Sequence, residues 1–214
     1  MSLVSATTLL PSSFFLPAPD EVARNLLGRL LVRRIGPERP DGERLVGRIV
    51  ETEAYFGQDD PAAHSAAGNT ARTSVLFGPP GHAYVYFIYG MHSCLNVSCE
   101  PDGRAGCVLI RALEPLAGLP EMARNRGLSP DAAPRTLASG PGRLCQALGI
   151  NRAEHKGMDP TAAASDMKLA DDGFEPEEIV ATTRIGITKA ADRPHRYLIA
   201  DNKYVSVKAR PLAP

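Results

Sequence analysis

Apolar and polar positions alternate most sharply around residues 46–55. Val46, Ile49 and Val50 lead into Glu51, Glu53 and Tyr55, and a two-residue period places those last three on one face of a strand. A face of two carboxylates and a tyrosine makes a poor core. It is either a site or a solvated face of a sheet, and these residues alone leave both readings open. The loop Gly57-Gln58-Asp59-Asp60-Pro61 stops the strand and can bring His64 back toward it.

The remaining pattern surrounds that strand with further strands and a few helices. A helix is predicted over 19–27, with Pro19 at a first helical position, Asp20 and Glu21 in the first turn, Val22, Ala23, Leu26 and Leu27 at helical spacing, and Gly28 as its stop. Residues 30–35 read as a strand that turns through 36–42 into the strand of Glu53, and 66–82 read as a loop rich in glycine and proline. Residues 83–88 are aromatic and β-branched, a strand that puts Tyr84 and Tyr86 on one face; Tyr89 falls on the other, beside Gly90, where a turn begins. Residues 93–98 return as its partner, with Cys94, Asn96 and Ser98 on one side. Pro101-Asp102-Gly103 then turns the chain into 106–113, a strand apolar except for Arg111. A lone arginine in such a strand needs acceptors, so it pairs with an acid or awaits a ligand phosphate.

Helical spacing resumes at 119–125 and 142–148. Residues 151–178 read as irregular and acidic, and 179–187, 197–200 and 204–207 as closing strands. The fold class expected is α+β, a single domain over 1–214 with a mainly antiparallel sheet flanked by helices, and with 1–13 flexible.

Composition changes this picture in three ways. The formal charge is zero, so the chain lacks the global basic field of proteins that coat nucleic acid. Residues 166–178 carry six acids against one lysine, net −5, which leaves +5 on the rest of a neutral chain. The four cysteines, Cys94, Cys99, Cys107 and Cys145, have no paired spacing and read as reduced, buried thiols of a cytoplasmic protein. The five histidines show no ligand spacing, so neither a metal nor another cofactor is expected. The leading residues have no basic start and no long apolar run, and neither a signal peptide nor a membrane span is expected.

Taken in order, Glu-Thr-Glu-Ala-Tyr at 51–55, Ala-Ala-His-Ser ending at Ser65, Tyr-Val-Tyr-Phe-Ile-Tyr-Gly-Met at 84–91, Asn96, Leu-Ile-Arg-Ala-Leu-Glu-Pro-Leu at 109–116 and Ser-Gly-Pro-Gly-Arg-Leu-Cys-Gln-Ala-Leu at 139–148 form one long set. This set resembles the alkyladenine (3-methyladenine) DNA glycosylase family, the mammalian type also found in bacteria, over about residues 14–207. The resemblance implies a curved, partly open barrel-like sheet similar to the C-terminal domain of formyltransferases. It implies an enzyme that flips an alkylated or deaminated purine (3-methyladenine, 7-methylguanine, hypoxanthine or ethenoadenine) out of double-stranded DNA. Hydrolysis of its N-glycosidic bond then leaves an abasic site.

By the same resemblance Glu53, not Glu51, is the catalytic carboxylate. An anion there suits a sugar that develops oxocarbenium character, and it can activate water. Tyr55, His64 and Tyr86 line the base pocket, where a cationic alkylpurine gains cation–π attraction of about 0.5–2 kcal/mol. Asn96 crowds the exocyclic amino group of guanine, and a hydrogen-bonded strand asparagine is its alternative. Tyr89 enters the minor groove and fills the gap left by the flipped nucleotide, with burial in the core as its alternative. Arg111 is an active-site arginine of the family pattern, and a structural pair with Glu51 is its alternative.

The chain departs from the family in lacking the long basic N-terminal tail of vertebrate members. Residues 160–178 match no family motif, and Ser93 stands where bulkier side chains are common. No lysine lies in a matched motif, which points to a monofunctional enzyme without Schiff-base chemistry. A monomer is expected. The competing class is a catalytically silent nucleic-acid-binding module of the same fold; a metal-dependent hydrolase built on Glu53, His64, His82 and His92 is a third.

Overall fold

The computed structural model describes residues 7–36, 44–88, 90 and 92–209. A short strand, β1 (Thr8–Leu9), precedes α1 (Pro19–Asn25), whose first turn holds Pro19, Asp20 and Glu21 as the helix dipole favours. Gly28 turns the chain at φ 89° into β2 (Leu30–Arg34), a conformation that costs other residues strain. The alternating stretch becomes the twelve-residue β3 (Arg44–Tyr55). Three 3-10 turns follow, at Gly57–Asp59, His64–Ala67 and Ser74–Phe77. The hairpin strands β4 (Ala83–Ile88) and β5 (His92–Ser98) lead to β6 (Cys107–Ala117). Four short helices come next: α2 (Leu119–Asn125), α3 (Arg135–Ala138), α4 (Pro141–Ala147) and α5 (Arg152–His155). Strands β7 (Met167–Asp171), β8 (Ile179–Thr182) and β9 (Arg196–Ile199) complete the described elements.

All the strands join one antiparallel sheet in the order β1-β7-β2-β3-β6-β5-β4. β3 is long enough to pair β2 through residues 44–48 and β9 through 51–53, and β9 carries β8. The sheet curls into a half-barrel with few helices, an α+β domain as the pattern predicts.

The two-residue period divides the middle strands cleanly. Val50 and Ala54 on β3, Val85 on β4, Leu95 and Val97 on β5, and Val108, Ile110 and Ala112 on β6 enter the main core. They pack there with Val22 of α1, Met122 of α2 and Leu144 of α4, each such side chain contributing about 1.5–3 kcal/mol by leaving water. Intervening residues point to the opposite face, Tyr55, Tyr84, Tyr86, Asn96 and Arg111 among them, with Cys94, Cys107 and Leu109 beside them. Helices therefore cover one face and leave the other for chemistry.

Register between β3 and β6 is shifted three times, first between Val46 and Gly47, where Leu116 is the extra residue, and then twice around Arg111. Ile49 sits opposite Leu113 and Glu51 opposite Ala112, so Val50 is an extra residue on β3; Thr52 then sits opposite Ile110, so Arg111 is an extra residue on β6. These last two bulges cancel, and normal pairing resumes through Tyr55. A bulge re-aims its side chain, and here it delivers Arg111 to the carboxylates of β3.

Several expectations are corrected. Residues 151–178 are not irregular: they include α5 and the sheet strand β7, with Met167 and Leu169 buried. The acids masked the pattern because they sit beside it and pair with cations of β2, β3 and the turn before them. Arg29 reaches Asp171 at 2.5 Å and Glu175 at 2.7 Å, Arg33 reaches Asp166 at 2.5 Å, and Arg48 reaches Asp172 at 2.8 Å. The strand expected at 204–207 is a turn and bend, because Ser206 donates its backbone N–H to Glu51 instead of to a neighbouring strand. The strand expected over 179–187 ends at Thr182, where Arg184 turns inward. Within the 1–13 leader, Thr8 and Leu9 pair with Asp171 and Ala170. Tyr89 lies outside the described residues; around it β4 and β5 pair as far as Ile88 opposite His92, and Gly90 takes φ 69°.

Candidate active site

The polar face of β3, β4, β5 and β6 forms the floor and one side of a cavity of about 320 Å³. Tyr55, Tyr86, Asn96 and Arg111 line it from the strands, and His64 lines it from the 3-10 turn that follows the Asp-Asp-Pro loop. Ile185, Gly186 and Ile187, just after β8, lie across it as a strap. Five of the residues singled out from the sequence thus meet in one concavity. Glu53 stands directly behind the lining, fully buried, and touches three of the lining residues.

Three donors converge on Glu53. The Ile185 N–H donates to Oε1 at 2.8 Å, the Tyr55 hydroxyl donates to Oε2 at 2.9 Å, and Arg111 Nη1 stands 3.2 Å from Oε1. Oε2 keeps acceptor capacity for one further donor. Burial is the largest influence on this carboxyl; with the nearby charge of Glu51 it raises the pKa above 4.5 against the pull of Arg111, Ile185 and Tyr55. Burial raises the Tyr55 pKa as well, with the Glu53 charge adding to it, so the hydroxyl stays protonated and donates.

Glu51 is surrounded differently. Its Oε1 accepts from Arg111 Nε at 2.9 Å, Arg196 Nε at 2.7 Å and Ser206 Oγ at 2.8 Å, and its Oε2 accepts the Ser206 N–H at 2.5 Å. Burial works against its charge, but Arg111, Arg196 and Ser206 outweigh it and hold the pKa below the usual value. Arg111 thus makes the pair with Glu51 weighed from the sequence and a second contact, to Glu53, that was not, bridging the two carboxylates. Burial opposes its charge, yet the two glutamates keep it cationic.

The aromatic wall is tightly built. The rings of His64 and Tyr86 meet edge to face with centroids 4.4 Å apart, so no base fits between them and they form one wall. Arg72 Nη2 donates to His64 Nε2 at 3.1 Å. Arg72 Nη2 also lies 3.5 Å from Nδ1, and Nδ1 pairs with the Tyr84 hydroxyl at 3.1 Å. Packing against the tyrosines and then the Arg72 charge lower the His64 pKa, so the ring is neutral at pH 7. Asn96 donates to the Tyr84 carbonyl at 3.3 Å, and the Cys107 thiol reaches its Oδ1 at 3.8 Å.

Sequence reasoning did not single out Tyr84, Arg72, Ile185, Asp60 or Arg184. Tyr84 was visible in part, since it shares the face of Tyr86. Arg184 carries the same signal as Arg111, an arginine in an otherwise apolar run. Among the described residues no group of three or more His, Cys, Asp and Glu is placed to hold a metal ion, and no helix is long and apolar enough to cross a membrane.

Comparison with known proteins fits this geometry. The profile of the family described as methylpurine-DNA glycosylase matches residues 13–203. A relative from Koribacter versatilis, named for 3-methyladenine DNA glycosylase activity, is 57% identical over 199 residues, 93% of each chain. A relative of the same name from Methanoculleus marisnigri is 47% identical over 201 residues, 92% of this chain and 98% of its own. One from Burkholderia cenocepacia is 46% identical over 200 residues, 93% and 91% of the two chains.

Proposed function

The chain belongs to the methylpurine-DNA glycosylase family, and from that membership we propose that Glu53 activates the water that releases a flipped, alkylated purine from double-stranded DNA. The observation that carries this reading is the fully buried Glu53 carboxylate behind an aromatic cavity, held by Arg111, Ile185 and Tyr55. As a DNA glycosylase the enzyme must stabilise a sugar that gains positive charge as the base departs. An ionised glutamate does so and can accept a proton from water. Arg111 favours the ionised form of the carboxylate against its burial, and the Tyr55 hydroxyl and Ile185 N–H fix its two oxygens.

The flipped base enters between the joint wall of His64 and Tyr86 on one side and Tyr55 on the other. A cationic base such as 3-methyladenine or 7-methylguanine gains cation–π attraction of about 0.5–2 kcal/mol there, and a neutral His64 does not repel it. Such a base needs little protonation to leave. Hypoxanthine and ethenoadenine are neutral and need more. Asn96 stands on the floor, where a guanine amino group would meet it. Tyr89, between Ile88 and Gly90 in the sequence, supplies the wedge that replaces the flipped nucleotide in the stack. The chain acts as a monomer in the cytoplasm, at the nucleoid.

The test is base release from methylated duplex DNA with EDTA present throughout. Release of free purine with the strands left intact supports a monofunctional, metal-independent glycosylase. Binding to abasic DNA without release from any methylated duplex favours the silent binding module and overturns the reading.

A further inference from the structure

Against the Tyr55 ring lies an ion pair whose two side chains are both fully buried: Arg184 and Asp60. Arg184 donates through both terminal nitrogens to the two oxygens of Asp60, with Nη2 to Oδ1 at 2.9 Å. Its Nη1 also donates to the carbonyl of Ala54 at 3.0 Å, between Glu53 and Tyr55. The guanidinium lies 4.7 Å from the centroid of the Tyr55 ring. Asp60 in turn accepts the N–H of Phe56 at 3.3 Å and of Ala62 at 3.1 Å. Every one of these bonds ends on a segment that builds the cavity: the end of β3, the loop that carries His64, and the strap. The residue next to Arg184 is Ile185, whose N–H is bonded to Glu53.

A buried ion pair adds little net stability over an apolar pair of the same volume, so geometry is the better account of this one. We propose that Arg184, clamped by Asp60, is a positioning residue for the reaction: it holds Ile185 N–H on Glu53 and the Tyr55 ring in place, and thereby sets the reactivity of the carboxylate. The clamp and the Ile185 N–H bond to Glu53 together tie the strap after β8 to β3. A hydrogen bond to the ionised form favours that form, so losing the Ile185 bond makes Glu53 harder to ionise. The charged and titratable groups facing Glu53 are Glu51 and Tyr55 on β3, Arg111 on β6, Tyr86 on β4, Cys94 on β5 and Arg184 itself. The clamp variants change only Arg184 or Asp60, so the other groups remain as a constant background.

The proposal rests on the assignment of Glu53, and the experiment separates the two. Single-turnover release of 7-methylguanine is measured against pH for wild type, Glu53→Gln, Arg184→Lys, Arg184→Met and Asp60→Asn. Active molecules are counted by binding to an abasic-site duplex. Release by wild type that vanishes in Glu53→Gln establishes the assignment first; no release by wild type ends both readings. In Arg184→Met and Asp60→Asn the rate per active molecule at neutral pH should fall about 10–100-fold, as on losing a supporting hydrogen bond behind a reacting group. The acid limb of the profile should move to higher pH, and abasic binding should change less than about threefold. Arg184→Lys, which keeps the charge without the fork, should fall between. Asp60→Asn preserves shape and carries the test if Arg184→Met does not fold. A lower count of active molecules with an unmoved acid limb and an unchanged rate per molecule would show a purely structural pair and overturn the proposal.

Discussion

Glu51 and Glu53 stand two residues apart on one face of one strand, both fully buried, and the structure gives them opposite characters. Glu51 accepts four hydrogen bonds, two of them from arginines, and its pKa is held down. It ties β3 to β6, β9 and the segment 204–207. Glu53 shares Arg111, receives only one backbone N–H and one hydroxyl, lies against the cavity, and has a raised pKa. Saturation makes a carboxylate structural; incomplete saturation beside a cavity leaves it available for chemistry. Strand patterning cannot separate the two, because all their partners except Tyr55 lie more than fifty residues away in sequence.

The comparison breaks first at Glu53. Replacing it with glutamine should lower single-turnover base release by about 10²–10⁴-fold, the range of a lost general base, with binding to damaged DNA kept. Glu51→Gln should act on the fold instead. Removing one partner from a buried charge network costs about 3–5 kcal/mol, which lowers the melting temperature by on the order of 10 °C; a calorimetric scan reads it directly.

A smaller effect sharpens the contrast. The folded pKa of Glu53 is raised, so below 4.5 the group is protonated in both folded and unfolded states, and above the raised value it is ionised in both at the full burial cost. Glu53→Gln should therefore melt a few degrees above wild type near pH 8, with the gain disappearing below pH 4.5. An equal gain at both pH values would contradict the raised pKa. Glu51, with its pKa lowered, behaves oppositely: its stabilisation is present above 4.5 and is lost as pH falls through its depressed folded value. The smallest effect concerns the aromatic wall. Arg72→Ala removes the donor to His64 Nε2, so the His64 titration followed by NMR should move up toward 6.5.

The fold was legible where one face is apolar. The helix expected over 19–27 and the strands expected over 30–35 and 106–113 meet α1, β2 and β6, because burial on one side fixes the face, while β6 runs on through 114–117 beyond its expected end. β7 was hidden by acids whose arginine partners come from β2, β3 and the preceding turn. The gathering of Tyr55, His64, Tyr86, Asn96 and Arg111 around one cavity was legible only through the family motifs. The bulge at Arg111 was not legible, since adjacent apolar residues such as Ile49-Val50 and Ala112-Leu113, which share one core, also read as an ordinary buried strand. Asp60 and Arg184 escaped because a buried pair 124 residues apart shows in sequence only as one loop acid and one odd arginine. Arg72 carried no signal at all.

The central claim is that two neighbouring carboxylates divide structure from chemistry. The most direct measurement is single-turnover release of 7-methylguanine from a methylated duplex by wild type, Glu51→Gln and Glu53→Gln, each corrected for its active fraction and followed from pH 4 to pH 9. The account predicts that Glu51→Gln, once folded, retains most of the wild-type rate. It predicts that Glu53→Gln loses the rate at every pH, and that the wild-type rate declines on the acid side at a pH above the ordinary glutamate value of 4.5. Full activity in Glu53→Gln, or loss confined to Glu51→Gln, would contradict it.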